Sequence, residues 1–135
     1  MSKLRSEAGY TLMELLVVLA ILGLLAAIAT PLMLHYLDSA KLRTARTEVA
    51  NISASLDLFK YDVGRYPTTR EGLAALLQAP PDVEDWNGPY AKKLDGFNDP
   101  WGHPYVYRSP GEHGSFDLYS FGAKPGGGKP QIASW

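Results

Sequence analysis

The first third of the chain is dominated by an apolar run that follows a short basic leader. From Leu15 to Leu34 there is no charged side chain. At about 1.5 Å of rise per residue, a helix of that length is about 30 Å long, which matches the hydrocarbon core of a bilayer. One carboxylate, Glu14, stands at the entrance to this run, where an ionisable group is costly. The pattern predicts a membrane-spanning helix over about residues 10–34 with a functional acid at its start.

Beyond the apolar run, hydrophobic residues recur at steps of three and four, which is typical of an amphipathic helix with one buried stripe. The stripe consists of Ala45, Val49, Ile52, Leu56, Phe59 and Val63. No turn signal separates it from the apolar run, so one long helix is predicted from about Thr11 to about Tyr61. Pro31 lies inside this helix and should kink it, because proline lacks an N–H donor and its ring clashes with the preceding turn.

The segment after the long helix carries signals for a short helix and then an irregular loop. Thr68 and Glu71 have the spacing of a capping box, which predicts a helix over about residues 69–78 that covers the stripe. Residues 82–102 are rich in turn-forming residues and should form a loop pinned by aromatic rings. The predicted pins are Trp86, Tyr90, Phe97 and Trp101.

The last third of the chain reads as a small antiparallel sheet. Residues 104–108 and 115–121 are rich in aromatic and β-branched side chains, which favours two strands with a hairpin loop over 109–114. Residues 131–135 are predicted to return as a short edge strand. The predicted fold class is therefore α+β, with a long helix packed on a small domain.

Composition and charge narrow the classes of function. The chain has 135 residues and a formal net charge of −1, which suits one modest domain and gives no electrostatic footprint for nucleic acid. Cysteine is absent, so a disulfide framework and a thiolate metal site are excluded.

No constellation of residues indicates an enzyme. His113, Ser115 and Asp117 lie close in sequence, but alternating strand positions do not build a catalytic relay, and polar groups of a hairpin loop are the favoured interpretation. His35 and His103 lack a second ligand at metal spacing. The cations Lys41, Arg43 and Arg46 suit a solvated helix face better than a lipid-phosphate site.

The leader is open to two ordinary interpretations, a cleaved secretory signal and an uncleaved signal anchor. An ordinary secretory signal would be cut after Ala29, and a signal anchor would stay uncut. Glu14 lies where the hydrophobic part of a signal peptide should begin, and the apolar run is long for such a segment. Both alternatives are therefore disfavoured. By the positive-inside rule, Lys3 and Arg5 should stay cytoplasmic, although the cations after the span would favour the opposite orientation if counted alone.

The segment GYTLMEL, residues 9–15, resembles the processing site of the type IV pilin and pseudopilin superfamily. The resemblance implies that a prepilin peptidase cuts between Gly9 and Tyr10 and that the new amino terminus on Tyr10 is methylated. Glu14 then occupies the fifth mature position, where the family has glutamate. Tyr10 replaces the phenylalanine that is most common at the first mature position, and it keeps an aromatic ring there.

Cleavage at Gly9 would give Glu14 a partner. An isolated carboxylate in hydrocarbon costs several kcal/mol unless it is paired or protonated. The new amine on Tyr10 would lie at the same membrane depth, and geometry favours the amine of a neighbouring subunit. At about 4 Å and an effective dielectric constant of about 20, that pair would interact by about 4 kcal/mol before desolvation is subtracted. The alternative is that Glu14 lies in the headgroup region and reaches water.

Two C-terminal segments, GRYPTTREGLAALL and DPWGHPYVYRSPGEHGSFDLYSFGA, resemble the major pseudopilin of the type II secretion system. The resemblance implies a structural subunit that polymerises from the inner membrane into the periplasm and drives export of folded proteins across the outer membrane. Its implied partners are further copies of itself, minor pseudopilins, the prepilin peptidase and methyltransferase, and the inner-membrane assembly platform with its ATPase. A type IV pilus subunit and a signal-anchored periplasmic enzyme remain as alternatives.

This resemblance also divides the chain into a removed leader, a membrane segment and a periplasmic domain. The domain is expected to combine the amphipathic half of the long helix with a short helix and an antiparallel sheet. The boundaries are 1–9 for the leader, 10–34 for the transmembrane part of the helix and 35–135 for the periplasmic domain, which comprises helix 35–62, loop region 63–103 and sheet with C-terminal loop 104–135.

The C-terminal loop departs from the pattern of the family. Type II major pseudopilins typically hold a calcium ion after the strand that resembles YSFGA, with acidic ligands. Here residues 122–130 contain no carboxylate, and Lys124 stands where the family has an aspartate. Calcium takes several oxygen ligands, and anionic ones supply most of the affinity. We therefore expect no metal and no cofactor, with glycine turns and prolines rigidifying the loop instead.

Overall fold

The computed structural model describes residues 2–92 and 97–135, and within them the side chains of residues 11–92 and 97–135. Its elements are helix α1 (Ser2–Val63), a 3-10 turn (Leu73–Leu76), and strands β1 (Val106–Arg108), β2 (Asp117–Ser120) and β3 (Ile132–Ala133). The predicted α+β fold class is confirmed. The chain forms two compact units, Met1–Ser39 and Ala40–Trp135, and α1 contributes to both.

The first unit consists of the N-terminal part of α1. Large apolar side chains from Leu12 to Leu37 are 48–68% exposed, on every face of the helix. By length and composition, this helix is apolar enough to cross a membrane. The prediction of one continuous helix is confirmed, because α1 runs through Pro31 without interruption and ends two residues beyond Tyr61. The kink at Pro31 stays a prediction.

In the second unit, the amphipathic part of α1 buries the predicted stripe. Ala45, Leu56 and Phe59 are fully buried, Val49 and Ile52 nearly so. Val63 is partly buried and packs against the same core. Because these positions repeat every three or four residues, they line one face of the helix, and mostly polar residues occupy the other faces.

The capping box forms as predicted, but the short helix expected over residues 69–78 is limited to a 3-10 turn at Leu73–Leu76. The Glu71 N–H donates to Thr68 Oγ1 at 3.2 Å, and the Thr68 N–H donates to Glu71 Oε2 at 3.3 Å. The helix does not continue from this turn because Gly72 adopts φ 65° and ψ −168°, far from helical values. Only the four-residue 3-10 turn Leu73–Leu76 follows, and its Leu73 and Leu76 are buried.

The aromatic pins of the long loop are confirmed within the part of the chain that the structure describes. Phe97 is buried, and Trp86, Tyr90 and Trp101 pack against the core. The Trp86 indole N–H donates to the Ala75 carbonyl at 2.7 Å, and the Tyr90 hydroxyl donates to Asp62 on α1 at 2.8 Å. The loop is therefore attached both to α1 and to the 3-10 turn.

The three predicted strands are present, and each is shorter than expected. They form one antiparallel sheet in the order β1-β2-β3, with Tyr107 opposite Leu118 and Ser120 opposite Ile132. Prolines at 104, 110 and 130 flank the strands and cannot donate to a ladder, which shortens the pairing. Buried Tyr107, Leu118 and Ile132 join the hydrophobic core with the stripe of α1.

Candidate functional site

The N-terminal candidate site centres on Glu14, near the start of the exposed apolar part of α1. Its neighbours Leu12, Met13, Leu15 and Leu16 are 60–66% exposed, so the carboxylate stands among apolar side chains. No salt bridge joins Glu14 to another described side chain. In a lipid environment, such a carboxylate must find a cation or a proton from outside this segment. The predicted processing residues Gly9 and Tyr10 lie outside the residues whose side chains are described.

The polar residues of the hairpin loop form a structural cluster. The buried Asp117 carboxylate accepts the N–H groups of Glu112 and His113 at 2.9 and 3.1 Å, and His113 Nδ1 lies 3.1 Å from it. Burial would raise the pKa of Asp117, but these hydrogen bonds outweigh it and hold the pKa below its usual value. The carboxylate therefore closes the loop, as an anion at neutral pH.

This cluster does not assemble a nucleophile. The Ser115 carbonyl accepts the Gly111 N–H at 3.4 Å, and no hydrogen bond links the Ser115 hydroxyl to His113 among the described contacts. The His113 ring instead stacks on Trp135 at 3.8 Å between ring centroids. A serine nucleophile requires a base within hydrogen-bonding reach, so the prediction of structural hairpin groups agrees with the geometry.

A second buried carboxylate, Asp99, was missed by sequence reasoning. It accepts the N–H groups of Trp101 and His103 at 3.0 and 2.9 Å, and the hydroxyl of Ser120 donates to it. Ser120 Oγ in turn accepts the Gly122 N–H at 3.0 Å. The Asp-Pro-Trp-Gly sequence is a turn signal that indicates the local part of this network. The bond to Ser120, 21 residues away, leaves no mark in the sequence pattern.

Two tyrosines join the sheet region to the rest of the second unit. The Tyr107 hydroxyl donates to the Pro67 carbonyl at 2.6 Å, and the Tyr105 hydroxyl donates to Glu48 on α1. Burial raises the pKa of Tyr107 to about 12. Burial, together with the hydrogen bond to Glu48, also raises the pKa of Tyr105. Both phenols are therefore neutral donors at physiological pH.

The residues of the C-terminal loop do not fit a calcium ion. Residues 122–130 supply no carboxylate. Two buried acids outside the loop, Asp99 and Asp117, already accept hydrogen bonds from protein donors, and exposed Glu112 lies 3.5 Å from the Arg108 guanidinium. Among the described residues, no three side chains of histidine, aspartate or glutamate converge as a metal-binding group. The N–H groups of Trp101 and His103 donate to Asp99, and those of Glu112 and His113 donate to Asp117. Both carboxylates therefore already serve backbone donors, whereas calcium needs oxygen ligands that are available to it.

Comparison with known proteins gives consistent matches over nearly the whole chain. Residues 32–135 match the family described as type II secretion system (T2SS), protein G, and residues 4–30 match the prokaryotic N-terminal methylation motif. The type II secretion system core protein G of Pseudomonas aeruginosa is 44% identical, over 97% of this chain and 96% of that protein. The Vibrio cholerae protein of the same name is 40% identical, over 91% and 85%.

A solved structure also matches. The crystal structure of the major pseudopilin from the type 2 secretion system of enterohaemorrhagic Escherichia coli superposes with a TM-score of 0.64 at 29% identity. The match covers 76% of this chain and 92% of that one.

Proposed function

This chain belongs to the family of the type II secretion system protein G, and we propose that it is the major pseudopilin, the polymerising subunit of such a system. The observation that carries the proposal is the 44% identity to a core protein G over 97% of the chain. The likeness to a solved major pseudopilin, with a TM-score of 0.64, supports the same assignment.

The apolar part of α1 anchors the subunit in the inner membrane before assembly. Residues 10–34 lie in the bilayer, Lys3 and Arg5 stay on the cytoplasmic side, and residues 35–135 face the periplasm. The exposed apolar side chains between Leu12 and Leu37 support this arrangement, because they have no cover within their own unit. In the fibre, the same side chains pack against α1 of neighbouring subunits.

Processing prepares the subunit for assembly. The prepilin peptidase cuts between Gly9 and Tyr10, and the new amino terminus is methylated. The match of residues 4–30 to the N-terminal methylation motif supports this step. Glu14 then pairs with the terminal amine of a neighbouring subunit, which fixes the axial register between the two.

The subunit acts mechanically and has no catalytic role of its own. Its growth from the inner membrane, together with minor pseudopilins and an assembly platform, pushes folded proteins through the outer membrane. The hairpin cluster supports a structural role, because the Asp117 carboxylate is occupied by backbone N–H donors and the His113 ring by Trp135.

Deletion and complementation in the host bacterium test the function. We expect that loss of the gene stops release of secreted proteins into the medium, and that the intact gene restores it. The intact mass of the purified subunit should correspond to a chain that has lost residues 1–9 and gained one methyl group. Normal secretion without the gene, with loss of surface fibres, would instead identify a type IV pilus subunit. A mature chain that begins at Met1 or after Ala29 would contradict the processing step.

A further inference from the structure

We propose that the C-terminal loop of this chain is closed by direct protein contacts and that folding of the domain is independent of calcium. The resemblance described above implies a calcium ion in the loop after β2, yet the donors at this place do not suit one. If no ion holds residues 122–130, other contacts must tie the two ends of the loop together. The structure contains three sets of contacts that hold the ends of the loop.

The first contact joins the two ends of the loop. The Gln131 N–H donates to the Ser120 carbonyl at 2.9 Å, which starts the pairing of β3 with β2. The side chain of Gln131 lies across Gly122, so that a Cβ atom at residue 122 would overlap with Gln131 Oε1. Gly122 also has φ +72°, a conformation that favours glycine. A neutral amide therefore covers the turn at which the loop leaves β2.

The second contact attaches the start of the loop to a buried carboxylate. Ser120 is 1% exposed, and its hydroxyl donates to Asp99 while it accepts the Gly122 N–H. Asp99 holds the turn at Trp101 and His103 through two further hydrogen bonds. The negative charge of Asp99 is thus used within the protein, since three donors already satisfy it.

The third contact secures the chain after the loop. The Ser134 N–H donates to the Leu118 carbonyl at 2.9 Å, and the Leu118 N–H donates to Ser134 Oγ at 3.1 Å. Beyond it, the Trp135 ring stacks on His113 with an interplanar angle of 2°. Both sides of the loop are therefore held by β2 and by the hairpin loop.

The loop itself carries charge of the wrong sign for a cation. Lys124 and Lys129 are both exposed, and two ammonium groups on one short loop repel a divalent cation. The Gly127 N–H donates to the Lys124 carbonyl at 3.3 Å, so a local turn uses one of the backbone oxygens that calcium might take. The positive φ angles of Gly126 and Gly128, +82° and +79°, supply the remaining bends.

Thermal unfolding of the full processed chain in detergent micelles tests this inference. Bound metal is removed with EGTA, and the midpoint of thermal unfolding is measured by circular dichroism in EGTA, in about 5 mM calcium and in about 5 mM magnesium. A calcium concentration of about 5 mM exceeds the dissociation constants of weak extracellular calcium modules. We expect the three midpoints to agree and calorimetric titration with calcium to give no binding heat. A calcium-specific rise of about 5 °C or more would overturn the proposal.

A substitution at Gln131 tests whether the direct contact of this side chain with Gly122 stabilises the closed loop. We expect Gln131→Ala to lower the midpoint in EGTA by a few degrees and calcium to give no rescue. Lys124→Ala is the matched control, an exposed side chain in the same loop, and should melt like the original protein. Equal midpoints for Gln131→Ala and Lys124→Ala would overturn the role of Gln131. These measurements need no secretion, so their failure is distinguishable from failure of the proposed function.

Discussion

The two parts of α1 place the same kind of side chain in opposite environments. Large apolar residues from Leu12 to Leu37 are 48–68% exposed, whereas Leu56 and Phe59 further along the helix are fully buried. The second unit covers its own apolar stripe with a sheet, a 3-10 turn and a pinned loop. The described side chains of the first unit, from residue 11 onward, have no such cover, so lipid or neighbouring subunits must supply it.

This contrast separates folding from assembly. Substitutions in the second unit should change the free energy of unfolding of a single subunit, because its core closes within one chain. Substitutions in the first unit should leave that free energy unchanged and act on the fibre. Variants at buried and exposed positions of the second unit, and in the first unit, test this separation.

The largest effect on folding is expected for Leu56→Ala. This side chain is fully buried, and its truncation leaves a cavity that should cost about 2–5 kcal/mol of unfolding free energy. Leu58→Ala on the same helix is the matched control, since Leu58 is 56% exposed and its loss should cost less than about 0.5 kcal/mol. Denaturant titration of the full chain in detergent measures both. Equal losses would contradict the position of the stripe.

Glu14→Ala should have the converse effect, with intact folding and impaired assembly. Loss of a pair worth at most about 4 kcal/mol, before desolvation, should strongly reduce the yield of sheared fibres. The thermal midpoint should equal that of the original protein, and the intact mass should again show that residues 1–9 are lost. Leu58→Ala, in the second unit, serves again as the control and should give a normal yield of fibres. A normal fibre yield from Glu14→Ala would refute the pairing of Glu14 with a neighbouring amine.

The sequence predicted those elements that have a periodic hydrophobic pattern or a distinctive composition. The stripe from Ala45 to Phe59, the aromatic pins and the three strands were confirmed because periodicity and composition reflect burial directly. Glu14 was singled out because an acid beside an apolar run is unusual. The roles of Gly9, Tyr10 and Pro31 remain predictions.

Local sequence patterns did not predict the contacts between residues that are distant along the chain. The hydroxyl of Ser120 reaches Asp99 across 21 residues, and that of Tyr107 reaches Pro67 across 40. The short helix was overpredicted for a local reason, because the capping box at Thr68 forms equally well when Gly72 leaves the helical conformation. A single turn of hydrogen bonds does not determine how far a helix continues.

Alkaline pH should destabilise the second unit through Tyr107. Its pKa is raised by burial to about 12, above the value of about 10 in an unfolded chain. Stability is therefore complete below pH 10 and falls as the pH rises toward 12, by about 1.4 kcal/mol per unit. Tyr107→Phe should lose this part of the pH dependence, at a cost of about 1 kcal/mol at pH 7 for the bond to Pro67. Unfolding at several pH values measures both, and identical slopes would contradict the assignment.

The smallest effect is expected for Thr68→Ala, which removes the acceptor of the Glu71 N–H. Loss of such a cap costs about 0.5–2 kcal/mol, and the low end is expected here because only a single turn lies between Thr68 and Gly72. Thr30→Ala in the first unit is the matched control, since Thr30 Oγ1 donates only to the Ala26 carbonyl one turn earlier. That bond is local to the exposed part of α1 and makes no contact with the core of the second unit. Its loss should therefore leave the thermal midpoint of unfolding unchanged. If Thr30→Ala destabilised the subunit as much as Thr68→Ala, folding would extend into the membrane segment, and the separation of folding from assembly would fail.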